Sequence, residues 1–218
     1  MDSQTLLIAL VSLVLLAAAM SFAVAGVRQH RRRVQLARWA GRLGLRFSED
    51  DLLDVPQSCA AFALVSCGHS PAACNLAYGR VEGWTIRMFD FRYEIGHGTR
   101  RLARRYEVMM ADLPKAPRDL LMWREADFTT LAPAANHTRH GQWECLGEAA
   151  SWEAIARSLG EDASGACVQV HGNRLMIALA GLGKGRSFDQ RLAQLQRVAK
   201  EVSRGDERGQ SGLGRCQG

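Results

Sequence analysis

The stretch FDFRYEIGHGTRRLARRYEV, Phe89 to Val108, carries the reading of the fold. Phe89, Phe91, Tyr93 and Ile95 alternate with Asp90, Arg92 and Glu94; beyond Gly96-His97-Gly98, Tyr106, Val108 and Met110 alternate with Arg105 and Glu107. A period of two sends successive side chains to opposite faces of a strand. The stretch therefore predicts an antiparallel hairpin, apolar on one face and charged on the other, as in a sheet with one face in water. Opposite-sign cross-strand pairs such as Glu94 with Arg105 are expected to add about 0.2–1 kcal/mol each.

The tip admits two readings. A plain solvated hairpin explains nearly every residue. Alternatively, Gly96 and Gly98 let backbone N–H groups converge, and His97, Arg100, Arg101, Arg104 and Arg105 form a candidate site for a phosphate or an anionic lipid headgroup.

Working outward, AFALVSC (Ala61 to Cys67), CNLAYGRV (Cys74 to Val81), WTIRMFDFRYEI (Trp84 to Ile95) and RRYEVMMADL (Arg104 to Leu113) read as strands. Their separations are too short for crossover helices and favour antiparallel pairing. RDLLMWRE and FTTLAP are candidate short edge pieces. SWEAIARSLG reads as a helix with Ser151 as N-cap and Gly160 as C-cap. CVQVHGNRLMIALAG is a hairpin turning at Gly172-Asn173. SFDQRLAQLQRVAKEVSR closes the chain as a helix, with Phe188, Leu192, Leu195, Val198, Ala199 and Val202 on one face. The predicted class is α+β: an N-terminal transmembrane helix, a mainly antiparallel sheet and a C-terminal helix.

The transmembrane prediction rests on Leu6 to Val27, 22 residues without a charge. At about 1.5 Å per residue they reach roughly 33 Å, enough for a hydrocarbon core of about 30 Å. RQHRRR follows, whereas Asp2 is the only charged side chain before it. That asymmetry predicts an N-terminus outside and a domain in the cytoplasm. Ala23-Val24-Ala25 resembles a signal-peptidase site, but the segment before the apolar run lacks Lys and Arg and the run exceeds the usual signal length. The predicted division is a short outer end (1–5), the membrane helix (6–27), a basic then amphipathic segment (28–47), a soluble domain (48–204) and a disordered tail (205–218). Within 28–47, Val34, Leu36, Ala37, Ala40, Leu43 and Leu45 make the apolar stripe, with Gly44 near the helix end.

Four of the 28 basic residues sit between Arg28 and Arg33, leaving 24 basic against 21 acidic residues from Val34 onward. So even a balance excludes a nucleic-acid footprint. Six cysteines, one of them Cys216 in the polar tail, fit reduced thiols in a cytoplasmic domain better than a disulfide framework. Only three basic residues are lysines, and the bias toward arginine and alanine suits a bacterium with a GC-rich genome.

Metal chemistry has candidates in Cys59, Cys67, His69 and Cys74, and later in His137, His140, Cys145, Cys167 and His171. Only Cys67 and His69 suggest a local pair, on one face of a strand. No Cys-x-x-Cys or His-x-x-x-His spacing aims two ligands at one ion, so no metal or cofactor is predicted. GHSPA (Gly68 to Ala72) mimics a nucleophile elbow, but the residue after its serine is Pro71, which has no N–H for an oxyanion hole. GLGKGRS (Gly181 to Ser187) precedes a helix, yet it lacks both the third glycine of a dinucleotide fingerprint and the ending of a Walker loop.

GLRF (Gly44 to Phe47), NLAYG (Asn75 to Gly79) and FDFRY (Phe89 to Tyr93), with the later WECLGEAASWEAIARSL, GNRLMIAL and FDQRLAQLQRV, resemble the pattern of uncharacterised bacterial membrane-anchored proteins. The resemblance implies an architecture over most of the chain and carries no activity and no catalytic residues. The function expected is a single-pass inner-membrane protein whose cytoplasmic domain binds a partner protein through the apolar and aromatic face of the hairpin sheet or an exposed edge, without catalysis. An anionic-lipid or phosphate module using the arginine-rich tip comes second, and a metal-dependent enzyme third.

Overall fold

The computed structural model describes residues 3–124, 138–147, 152–160, 165–182 and 186–213. FTTLAP, Ser151, His137, Cys216 and the middle of GLGKGRS fall outside them.

Helix α1 is continuous from Ser3 to Arg42, joining the apolar run, the basic run and the amphipathic segment. Its large apolar side chains from Leu6 to Val27 are exposed on all sides, whereas Arg32, Leu36, Trp39 and Ala40 are buried. The two halves face different surroundings: one is apolar all round, and the other buries a stripe at helical spacing. The predicted stripe is therefore rotated. Leu36, Ala40 and Leu45 are in the core, but Trp39 and Arg32 join them in place of Val34 and Ala37.

The helix ends in a Schellman motif. Gly44 takes a left-handed φ of 69°, the Leu45 N–H donates to the Ala40 carbonyl at 2.9 Å, and the Gly44 N–H donates to Gly41 at 3.3 Å. The turn throws Leu45 back against Gly79, where an added Cβ would stand 2.9 Å from the Leu45 side chain. The GLRF and NLAYG segments thus meet in space, Leu45 of one against Gly79 of the other.

Among the described residues, nine antiparallel strands form one sheet: β1 (Arg46–Ser48), β2 (His69–Val81), β3 (Trp84–Ile95), β4 (Leu102–Asp112), β5 (Leu120–Trp123), β6 (Thr138–His140), β7 (Trp143–Leu146), β8 (Ala166–His171) and β9 (Arg174–Ala180). Their order is β1-β2-β3-β4-β9-β8-β5-β7-β6. The β3–β4 and β8–β9 hairpins stand as the alternation predicts. β5 is interior rather than an edge piece, lying between β8 and β7. AFALVSC is not a strand: it holds the short helix α3 (Ala63–Ser66), which follows α2 (Val55–Ser58). A short apolar run has no period by which strand and helix can be told apart.

Both faces of the sheet are covered. On one, the second half of α1 packs with α4 (Trp152–Leu159) and α5 (Phe188–Leu213) over Met88, Met109, Val168 and Ile177. On the other, α2 and α3 place Val55, Cys59, Phe62, Leu64 and Val65 over Phe89, Phe91, Tyr93, Tyr106 and Val108. The expected wet face is absent from the centre of the hairpin. The helix face carries Asp90 and Glu107, which are 5% and 1% exposed. α5 starts in a capping box, Ser187 and Gln190 exchanging bonds of 2.9 and 3.3 Å. It continues to Leu213, past residue 204 where the sequence reading ends the folded domain.

Candidate functional site

The β3–β4 register sets Asp90 directly opposite Glu107. Two carboxylates facing each other on a covered sheet repel and are costly to desolvate. Arg32, reaching down from α1, compensates both. Its Nε donates to Asp90 Oδ1 and Oδ2 at 2.9 and 3.0 Å, and its Nη2 lies 2.6 Å from Asp90 Oδ1 and 3.2 Å from Glu107 Oε2. Asn75 Nδ2 donates to Asp90 Oδ2 at 2.9 Å. The backbone makes that contact possible: Asn75 has φ 53° at a register shift in β2, a conformation that Asn tolerates better than most residues. From α5, Arg191 Nε stands 3.5 Å from Glu107 Oε1. Phe188 offers its ring to the Arg32 guanidinium, 5.4 Å from the centroid.

Two acids and two arginines make a charge-balanced cluster between α1, β3, β4 and α5. Burial works against the Arg32 charge, but the hydrogen bonds and field of Asp90, with Glu107 behind it, outweigh it and hold the guanidinium above its usual pKa. Arg191 is lowered, chiefly by burial and against the pull of Glu107. Every group here holds another, which is the behaviour of a structural lock rather than of an acid–base pair awaiting substrate.

The predicted tip residues are divided between the 3-10 turn and the two faces of the hairpin. His97 stacks on His69 with ring centroids 5.1 Å apart. Arg101 sits 3.5 Å from Glu94, so the acid pairs with the tip rather than with Arg105, which faces Arg92 in the register. Arg104 lies opposite Tyr93 and Arg105 opposite Arg92, on opposite sides of the sheet, and Arg100 belongs to the 3-10 turn Gly98–Arg100. Arg105 lines the same groove as Arg28, Arg31 and Arg32 of α1.

The five described cysteines are free thiols. Cys67 donates to the Leu64 carbonyl at 3.2 Å at the end of α3 and shares no strand face with His69. No three His, Cys, Asp or Glu side chains among the described residues are grouped to hold a metal. Burial pushes the Cys145 and Cys167 thiols up to about 12, with a further push from Glu144 on the first and from Cys67 on the second. An unfolded thiol ionises near pH 8.5, so above that the unfolded chain loses protons that the folded one keeps, and stability falls as pH rises. We expect the urea midpoint to drop between pH 8 and pH 10, and to drop less in Cys145→Ala/Cys167→Ala.

Sequence reasoning missed Arg32, Asn75, Glu107 and Arg191 as a unit. The one available signal was the acid at matching positions in both strands of the hairpin, each set among apolar neighbours.

Among the described residues, one helix is long and apolar enough to cross a membrane. No protein-family model and no curated protein matches the chain. Among solved structures, the fold is similar to that of the mycobacterial trehalose monomycolate transport factor A, with a TM-score of 0.54 and 12% identity over 78% of this chain and 94% of that one. At that identity the likeness is one of fold.

Proposed function

We propose that the chain is a single-pass protein of a bacterial inner membrane, N-terminus outside, whose cytoplasmic α+β domain docks a partner protein and performs no chemistry. The orientation is supported by the arginines that follow Val27 and the lack of any before Leu6. The cluster around Arg32 fixes the domain to the helix five residues beyond Val27, about 7.5 Å along the axis. A platform held at the membrane surface suits docking.

The docking surface is not the aromatic face of the hairpin, because Phe89, Phe91 and Tyr93 lie beneath α2 and α3. The observation that carries the reading is the sheet margin. β1 pairs with β2 only at Leu76 to Tyr78, so no strand among the described residues pairs with the outer edge of His69 to Cys74. Pro71 and the positive φ of Ser70 shorten the usable edge to Ala72–Cys74. A short extended segment of a partner fits there by strand addition.

A photo-crosslinker at Ala73 in native membranes is expected to trap a discrete heterologous adduct. The same probe at Glu153, on α4 away from this edge, should not. Adducts only between copies of this chain would indicate self-association, and equal trapping at both positions would remove the edge. A C-terminal reporter active in the periplasm would overturn the orientation.

The second reading, a lipid-binding tip, is favoured by Leu102. It and Leu52 are the exposed large apolar residues outside α1 among the described residues, and Leu102 is flanked by Arg101 and Arg104. Liposome flotation with and without Gln at Arg100, Arg101 and Arg104 tests it.

A further inference from the structure

One rung beyond the balanced pair of Asp90 and Glu107, the register sets Arg92 directly opposite Arg105. Both side chains are exposed, both lie on the α1 side of the sheet, and neither makes an ion pair with a carboxylate among the described residues. Glu94, the next acid on that face, is engaged by Arg101. Like charges facing across a strand pair are destabilising. The sheet spends Arg32 to relieve one such rung and leaves the next unrelieved.

Arg92 and Arg105 line a small cavity of about 210 Å³ with Gln29 of α1, Asn75 and Leu182. Gln29, Arg105 and Leu182 also line an adjoining open groove of about 1030 Å³ along α1. The far wall of that groove is apolar and climbs the membrane helix through Val24 and Met20 to Ala17; its near end carries Arg28 and Arg31. Ala17 lies ten residues before Val27, so the wall runs about 15 Å into the apolar half of the helix. A cationic pocket at the base of an apolar wall, at the boundary between hydrophobic and charged residues, has the polarity of one class of molecule.

We propose that the junction of α1 with the β3–β4 hairpin binds the phosphate of an anionic phospholipid from the leaflet around α1, with Arg92 and Arg105 holding the headgroup, Arg28 and Arg31 flanking it, and an acyl chain against Val24 and Met20. The inference rests on α1 spanning a membrane; it does not need the partner-docking reading. It is also separate from the tip, sharing Arg105 alone with the residues singled out there. Two guanidiniums side by side suit a phosphate, whose oxygens accept charge-assisted bonds from both, and a bound anion removes the repulsion of the empty rung. Gly181 donates its N–H to the Arg105 carbonyl at 3.0 Å, which ties the Gly181–Leu182 turn to the wall of the site.

The experiment is native mass spectrometry of the full chain released from micelles containing phosphatidylglycerol or phosphatidylcholine. Wild type should retain a phosphatidylglycerol adduct at least about tenfold more readily than a phosphatidylcholine one, and Arg92→Gln/Arg105→Gln should bring the two to parity. Arg100→Gln/Arg101→Gln should behave as wild type. Retention of the preference in Arg92→Gln/Arg105→Gln overturns the proposal, and its loss in Arg100→Gln/Arg101→Gln moves binding to the tip. Inorganic phosphate forms the second arm: if it displaces the lipid as well as glycerophosphate does, the site is for a free anion and the lipid assignment fails. Thermal melting guards against misfolding. Without lipid, Arg92→Gln/Arg105→Gln should melt at or above the wild-type temperature, and phosphatidylglycerol should raise only the wild-type value. A variant that melts lower assigns the arginines to structure and overturns the proposal. Release of the chain from membranes by alkaline carbonate would remove the spanning helix instead, a failure distinct from the loss of an adduct in micelles.

Discussion

Arg32→Met should destabilise the domain by about 3–5 kcal/mol, the range for removing one partner of a buried ion pair. The arginine is the group by which Asp90 and Glu107 tolerate each other, and its loss leaves two facing carboxylates, both almost wholly buried, beneath the buried stripe of α1. Arg191 lies 3.5 Å from Glu107 Oε1, whereas Asp90 is held by Arg32 and Asn75, so the loss of Arg32 falls hardest on Asp90. The cause is identified by rescue. Arg32→Met combined with Asp90→Asn and Glu107→Gln should regain much of the loss, because neutral amides share a buried site at lower cost than two anions. Urea or thermal unfolding of the full chain in detergent measures both variants. If the triple variant is no more stable than the single one, packing rather than charge is what Arg32 contributes.

The same reasoning fixes where the domain begins. A fragment from residue 34 lacks Arg32 and is expected to behave like Arg32→Met, although the sequence places the soluble domain from residue 48. A fragment from Arg28 retains the lock. The helix long and apolar enough to cross a membrane is also a helix of the core, continuous from Ser3 to Arg42.

Trp39→Ala is expected to cost a similar amount, about 3–5 kcal/mol, as a large core side chain is lost and a cavity left behind. Trp39 is 2% exposed, its ring centroid lies 5.6 Å from that of Phe188, and its Nε1 donates to Asp189 Oδ1 at 2.9 Å. Asp189 lies in the first turn of α5, where a carboxylate also meets the positive end of the helix dipole. One side chain thus seats α5 on α1. Trp39→Phe keeps most of the volume and loses the hydrogen bond, so it should cost only about 1 kcal/mol. Limited proteolysis should cut Trp39→Ala early in α5 and leave Trp39→Phe resistant. Equal protection of the two would mean that α4 and the sheet hold α5 without help from α1.

The elements that could be read from the chain alone are those whose evidence is local. Twenty-two uncharged residues make a helix long and apolar enough to cross a membrane, whatever surrounds them. The alternation from Phe89 to Ile95 and from Tyr106 to Met110, the Gly172-Asn173 turn and the apolar stripe of α5 are each patterns with one geometric solution. The α+β class followed from these. AFALVSC carried no such pattern, and its reading as a strand failed for that reason. The wet face failed for another. Alternation separates the two faces of a strand, but a charged residue on one of them looks the same whether water or an arginine from a helix fifty-eight residues away covers it.

Register is the other quantity hidden from the sequence. It set Asp90 against Glu107 and Arg92 against Arg105, where Glu94 with Arg105 had seemed a natural pair. Which charges are neutralised, and which face their like, depends on contacts between residues far apart in the chain. Hydrophobic periodicity is written residue by residue, whereas electrostatic compensation is a property of distances, and only folding sets those.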